Sequence, residues 1–167
     1  GTQGFPYGMA EVEKQTLIAR SLVEEGCKVT FVCNKSFNFQ SKLSYKGNYK
    51  NIHYIYTNFY SRRLKNRLFN SISWLLGEFV EVLYLLISSY DLAILNSRNY
   101  SDIKKYSTIL HLRKKKLFLT FTEDIRSMYP NADRTILKKI KDFENKTWNI
   151  IDGVFPISEE LIRQVKE

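Results

Sequence analysis

Cysteine is scarce: Cys27 and Cys33 are the only two in 167 residues. Cys27 falls in a turn and Cys33 in a strand-like run, so no structural disulfide is expected. With only His53 and His111 as histidines, distant from each other and from the cysteines, no zinc-ligand spacing exists and no metal is expected. A reduced, cytoplasmic setting follows. Glycine and proline, at 7 and 3 residues, form no low-complexity linker, and no internal repeat is visible. The start lacks the cationic and apolar regions of a secretory signal, so none is expected. The longest apolar stretch, Ile72–Ile87, is interrupted by Glu78 and Glu81. A spanning helix needs about 20 apolar residues, and each carboxylate would cost about 2.5–3.5 kcal/mol near a bilayer centre. A buried core helix is therefore the expectation for it.

Positive charge is abundant. The net charge is +9 and the pI about 9.5, which suits an anionic partner: a nucleotide diphosphate, a phospholipid surface or a nucleic acid. No nucleic-acid-binding motif supports the last, and none is expected as a partner. Hydrophobic residues at 44% and charged residues at 26% fit a globular chain with a sizeable core. Its length makes one domain the default. The 11 Tyr and 11 Phe suit both core edges and sugar-stacking surfaces, and packing accounts for most of them.

Along the chain, helical and strand-like segments alternate. Glu11–Glu25 predicts an amphipathic helix stopped at Gly26, and Lys28–Cys33 a buried strand. Asn34–Lys50 reads as a polar connection with room for a short extra element. Ile52–Tyr56 alternates as a strand should. A helical region from Ser61 to Ser89 follows, then a strand over Tyr90–Leu95. Ser101 or Asp102 is expected to cap a helix that buries Ile103, Tyr106 and Leu110. Leu117–Phe121 predicts a central parallel strand, apolar on both faces. Asp133–Asn149 predicts a helix with Ile136, Leu137, Ile140 and Phe143 inward and Lys138, Lys139 and Lys141 solvated. Val154–Ile157 is a short strand, and Ser158 caps the last helix. Such alternation predicts an α/β fold, a Rossmann-like doubly wound parallel sheet in a single domain. Gly1–Gln3 is too short for the strand such a fold needs before its glycine loop, so the first strand is expected to be missing from the chain.

The residues of the first third carry a resemblance. Phe5-Pro6-Tyr7-Gly8-Met9-Ala10 is a small-residue loop before a helix, followed by Ala19-Arg20-Ser21-Leu22 and then Gly26-Cys27-Lys28-Val29. Fainter matches run through Phe118–Phe121 and Ile151–Ser158. Together these resemble the N-terminal, acceptor-side domain of retaining glycosyltransferases of the GT-B fold, close to bacterial glycosyltransferase family 4. The resemblance implies sugar transfer from a nucleotide-sugar donor to a glycan or lipid-linked acceptor in cell-surface polysaccharide synthesis. It also implies metal-independent chemistry without a cofactor, and a C-terminal nucleotide-sugar domain that is absent from this chain. The chain alone is then expected to bind weakly and not to turn over. The alternative from another class is a non-catalytic nucleotide- or anion-binding regulatory module. A receiver-like module would need an acidic cluster after its first strand, and none precedes Glu11.

Three groups of residues are the candidate chemistry. Gly8, Met9 and Ala10 lead into a helix whose first amides have no intrahelical partner, so their backbone is expected to hold the donor phosphates, with an ordinary βα turn as the alternative reading. Related enzymes carry two adjacent glycines here; this chain carries one. Polar strand ends supply the second group, since ligands sit outside the carboxyl ends of parallel strands. Arg98 and Asn96, with Tyr7, are the expected acceptor-binding residues. Glu123 and Asp124 are the expected catalytic pair, orienting an acceptor hydroxyl, where many relatives place a histidine. Helix capping for Asp124 and a surface ion pair for Arg98 are equally consistent readings. Third, Arg62, Arg63, Lys65 and Arg67 interleave with Leu64, Leu68 and Phe69, a pattern that reads either as a solvated helix end or as peripheral attachment at the inner face of an anionic membrane. Arg113–Lys116, at a helix C-terminus, reads as structural.

Overall fold

In the computed structural model of the chain, residues 5–7, 10–34, 44–58, 67–122, 129, 132–156 and 158–166 are described, apart from the side chains of Arg67, Gln164 and Lys166. The chain is α/β and divides into two compact units, residues 1–84 and 85–167.

The first unit opens with α1 (Ala10–Glu24). Val12, Thr16 and Ala19 recur at helical spacing and are its buried residues. The helix ends in paired hydrogen bonds, Gly26 N–H to the Val23 carbonyl at 3.0 Å and Cys27 N–H to Leu22 at 2.9 Å. This is a Schellman stop, and it requires the left-handed backbone that Gly26 adopts at φ +86°. Three strands follow: β1 (Thr30–Cys33), β2 (Lys46–Tyr49) and β3 (Ile52–Tyr56), in sheet order β1-β3-β2. β1 runs parallel to β3, with Thr30 opposite His53 and Cys33 opposite Tyr56. β2 runs antiparallel to β3, with Lys46 opposite Ile55 and Tyr49 opposite Ile52. The core joins Phe5, Val12, Ala19, Ile52, Tyr54 and Tyr56. The Phe5 ring stacks on Phe31 at 4.3 Å. Its backbone carbonyl accepts the Tyr56 hydroxyl proton, which ties the segment before α1 to the carboxyl end of β3.

The division between the units falls inside α2 (Arg67–Ile87). Among the described residues the second unit then alternates: β4 (Leu92–Leu95), α3 (Tyr100–Leu112), β5 (Lys116–Phe121), α4 (Arg134–Lys146), β6 (Gly153–Pro156) and α5 (Glu159–Lys166). Its sheet is parallel throughout, in the order β4-β5-β6. β5 is central, and Leu117, Leu119 and Phe121 are buried against Ile103, Tyr106 and Leu110 of α3 and Ile140 and Phe143 of α4. Each such aliphatic side chain contributes about 1.5–3 kcal/mol when fully buried. Phe121, Phe143 and Trp148 meet at ring separations of 5.4 to 6.0 Å. Arg113, the C-cap residue of α3, donates to the Leu85 and Ser88 carbonyls at 2.7 and 2.6 Å. The first of its basic run is thus structural, and it satisfies carbonyls at the end of α2.

Several expectations are corrected. The sheet of the first unit is mixed. Among the described residues, β2 and no helix lies between β1 and β3. β2 is the short extra element for which Asn34–Lys50 has room, although Lys46-Gly47-Asn48-Tyr49 is a poor strand former by composition. Pairing with β3 supplies what propensity does not. Asn99 caps α3, not Ser101 or Asp102: its side-chain oxygen accepts the Ser101 N–H at 3.2 Å. Leu137 is exposed, while Ile140 and Phe143 are buried as expected. Asp133 caps α4 from just outside it, bonding Ile136 N–H at 2.8 Å, and the helix stops at Lys146. Ser158 does cap α5, through the Leu161 N–H at 3.3 Å. Most consequential, α2 is not a buried core helix. Among its described side chains only Ser73 and Gly77 are buried, while Leu68, Leu75, Leu76 and Phe79 are exposed.

Candidate functional site

In each unit the carboxyl edge of the parallel strands is where a ligand would sit. In the second unit that edge is built from strand-to-helix turns. β4 leads into Asn96-Ser97-Arg98-Asn99 and then α3. Asn96 and Arg98 of this turn are half-buried and engaged by neighbouring groups. Ser97 is internal to the turn. Its hydroxyl accepts the Asn99 N–H at 3.2 Å and donates to Asp102 at 3.4 Å. Thr120 donates to the Leu95 carbonyl at 3.4 Å, and buried Thr122 ends the described part of β5's exit. Glu123 and Asp124, the expected catalytic pair, lie outside the described residues.

In the first unit the carboxyl edge is closed by a polar network. Thr57 N–H donates to the Cys33 carbonyl at 2.9 Å. Asn58 donates to the Asn34 carbonyl at 3.2 Å and accepts the Ser73 hydroxyl. Asn34 donates to Glu81 at 2.7 Å. Thr57, Asn58 and Ser73 are all buried, so each buried polar group here needs its partner. Gly77 lets α2 approach: a Cβ there would stand 3.2 Å from the Asn58 Cα. Ser73, Gly77 and Glu81 recur every four residues and so form one stripe of α2. Cys33 lies beside this network, and burial pushes its thiol up to about 12. It stays protonated at neutral pH and is a poor nucleophile. Burial likewise raises the Tyr56 phenol, which donates to Phe5.

Of the expected phosphate-binding loop, Gly8 and Met9 lie outside the described residues, and Ala10 is the exposed first residue of α1. Tyr7, an expected acceptor contact, is half exposed, with its ring 6.0 Å from that of Tyr49. It belongs to the first unit, and Asn96 and Arg98 to the second. Arg62, Arg63 and Lys65 lie outside the described residues; Arg67 opens α2. Asn34, Asn58 and Ser73 carry no role in the sequence reading, and Glu81 enters it only as an interruption of the apolar stretch. The four-residue spacing of Ser73, Gly77 and Glu81 within an apolar helix was the available signal.

At the opposite, amino edge of β5 and β6, Ser107, His111 and Asp152 come together. His111 Nδ1 stands 3.3 Å from the Ser107 hydroxyl and Nε2 stands 3.0 Å from Asp152. The residue types are those of a hydrolytic triad, but the chemistry is not available. Ser107 is buried, and its hydroxyl donates to the Ile150 carbonyl at 2.5 Å. Asp152 accepts the Leu117 N–H at 2.7 Å, and that bond, then His111, hold its carboxyl below the usual carboxylate range. The group joins α3 to the strand edge. Among the described residues no cluster of His, Cys, Asp and Glu could hold a metal ion. No protein-family model matches this chain, and neither a curated protein nor a solved structure matches it significantly.

Proposed function

We propose that the chain is the acceptor-side domain of a retaining glycosyltransferase, a Rossmann-like doubly wound domain that works with a separate nucleotide-sugar domain. The reading is supported by the loop and motif residues from Phe5 to Val29. The structural observation that carries it is the parallel β4-β5-β6 sheet with Asn96 and Arg98 in the turn leaving β4. In such sheets the carboxyl edge is the ligand edge. Arg98 supplies a planar fork for an acceptor phosphate or carboxylate. Glu123 or Asp124 orients the acceptor hydroxyl. The Gly8–Ala10 backbone, which runs into α1, would hold the donor diphosphate, whose charge is stabilised by helix ends and cations. Arg62, Arg63, Lys65 and Arg67 attract the protein to the anionic inner face of a membrane, where a lipid-linked acceptor resides.

The test is sugar transfer from a nucleotide-sugar to a lipid-linked acceptor by the two-domain protein. Gly8→Val places a branched side chain against the diphosphate and is expected to lower transfer at least about tenfold, the effect of losing one well-placed electrostatic contact. Circular dichroism checks that the variant is folded. Wild-type turnover by a folded Gly8→Val protein would refute the phosphate assignment. A wild-type protein that binds UDP or GDP yet transfers nothing would instead support the regulatory-module reading.

A further inference from the structure

α2 is built inside out. At about 100° per residue, Ser73, Gly77 and Glu81 lie on one side of the helix, and that side is held against Asn58 and Asn34. The other side, an arc of roughly 120° on the same geometry, carries Leu68, Ile72, Leu75, Leu76, Phe79 and Leu83, all exposed. Leu68 is 73% exposed and Phe79 60%. The residues Leu68–Ile87 have a mean hydropathy of 1.4, and their only charges, Glu78 and Glu81, fall outside the apolar arc. A surface helix of a water-soluble protein has the opposite arrangement. Isolated exposed apolar residues need no explanation, but a continuous row of six, about 22 Å long at 1.5 Å per residue, does.

We propose that this apolar face of α2 is a membrane-inserting surface, seated in the plane of an anionic bilayer. Two observations choose lipid over a second copy of the chain. The first is charge. Four cations stand within the six residues Arg62–Arg67 immediately before the apolar row, and the chain carries +9 overall. An anionic surface attracts that charge, whereas a second copy repels it. The second is composition: the arc holds only large aliphatic and aromatic side chains, the kind that enter the apolar boundary of a bilayer. The polar stripe decides the orientation. Spanning the bilayer would strip Ser73 and Glu81 of their partners in the first unit. Lying in the interface leaves those bonds intact and buries only the apolar side, about 5–10 Å deep as such helices do. The inference does not depend on glycosyl transfer, because insertion requires only the geometry and charge of α2.

The test is co-sedimentation of the purified chain with vesicles of phosphatidylcholine alone or mixed equally with phosphatidylglycerol. The wild-type chain is expected to bind the mixed vesicles and to bind pure phosphatidylcholine more weakly. Leu75→Gln with Phe79→Gln places two polar groups on the exposed arc and is expected to weaken binding at least about tenfold, given the apolar area removed from lipid contact. Both positions are solvent-exposed, so the fold should survive, and circular dichroism checks this. If the double variant does not fold, Leu75→Gln alone serves. Binding that is unchanged by the substitutions, or absent in the wild type, overturns the proposal. So does a lipid-free dimer, seen by light scattering, that the same substitutions dissociate. Since the readout is vesicle binding and not sugar transfer, this inference and the proposed function can fail independently.

Discussion

A single carboxylate oxygen of Asp152 accepts both the Leu117 N–H and a contact from His111. Both favour its ionised form, which holds its carboxyl below the usual carboxylate range in the folded state. The stabilisation is therefore present above the unfolded value of about 3.9 and is lost as pH falls through the folded value. Asp152→Ala is expected to cost about 1–2 kcal/mol at neutral pH, the scale of a lost charged hydrogen bond partly open to solvent. Thermal melts should show the gap between wild type and variant closing as pH drops below about 4. The two cysteines make a second contrast. Cys27 is exposed, whereas Cys33 is pushed up to about 12 by burial. A thiol reagent at neutral pH is expected to modify Cys27 quickly and Cys33 only on unfolding. Two equally fast thiols would show that the β1 end is open.

The hairpin joining β2 to β3 turns through Lys50 and Asn51, at φ 53° and 63°. Both central residues are left-handed, as a type I′ turn requires, yet neither is glycine. That explains why the sequence showed a connection instead of a strand: the Asn-Gly signal is absent, and Gly47 interrupts an already polar segment. It also makes a prediction. Lys50→Asn with Asn51→Gly should raise stability by about 1 kcal/mol in denaturant melts, by relieving left-handed strain on L-residues. A change in the other direction arises at Gly77, where a Cβ would stand 3.2 Å from the Asn58 Cα. Gly77→Leu is expected to cost about 1–3 kcal/mol by overpacking α2 against Asn58. Unchanged stability would mean that α2 is held only loosely against the first unit. Where a hydrophobic period was strong, as in α3 and α4, element and inward face were both legible. Leu137 failed because α4 buries a narrower face than its sequence offers.

On the scale of the whole molecule, the proposed membrane surface combines charge with the apolar row of α2. Neutralising Arg62, Arg63, Lys65 and Arg67 to glutamine should reduce affinity for phosphatidylglycerol-containing vesicles by an amount that fades as salt rises. Screening over about 8 Å at physiological ionic strength removes the long-range attraction. Because each cation near an anionic surface contributes about 1 kcal/mol, the loss at low salt should exceed tenfold. A loss that is independent of salt would mean that these side chains act by packing and not by charge. The two effects separate experimentally: the cations set the salt dependence, and the apolar side chains set the binding that persists at high salt.

Periodicity and composition alone determined that the chain is α/β, that its strands and helices alternate after Tyr90, and that Ile103, Tyr106, Leu110, Ile140 and Phe143 are core. Those properties are local, since an inward face repeats every 3.6 residues whatever the partner. Tertiary structure decided the rest. The antiparallel edge strand exists because β3 is there to pair with it. The direction of α2 could not be read, because length and hydropathy are the same for a buried helix and for one that turns its apolar side outward. Only the seating of Ser73, Gly77 and Glu81 against Asn58 and Asn34 fixes which side faces away. The choice is energetic. A buried hydroxyl such as that of Ser73, or a half-buried carboxylate such as that of Glu81, must find its partner within the protein, and meeting that demand turns the apolar side of α2 outward.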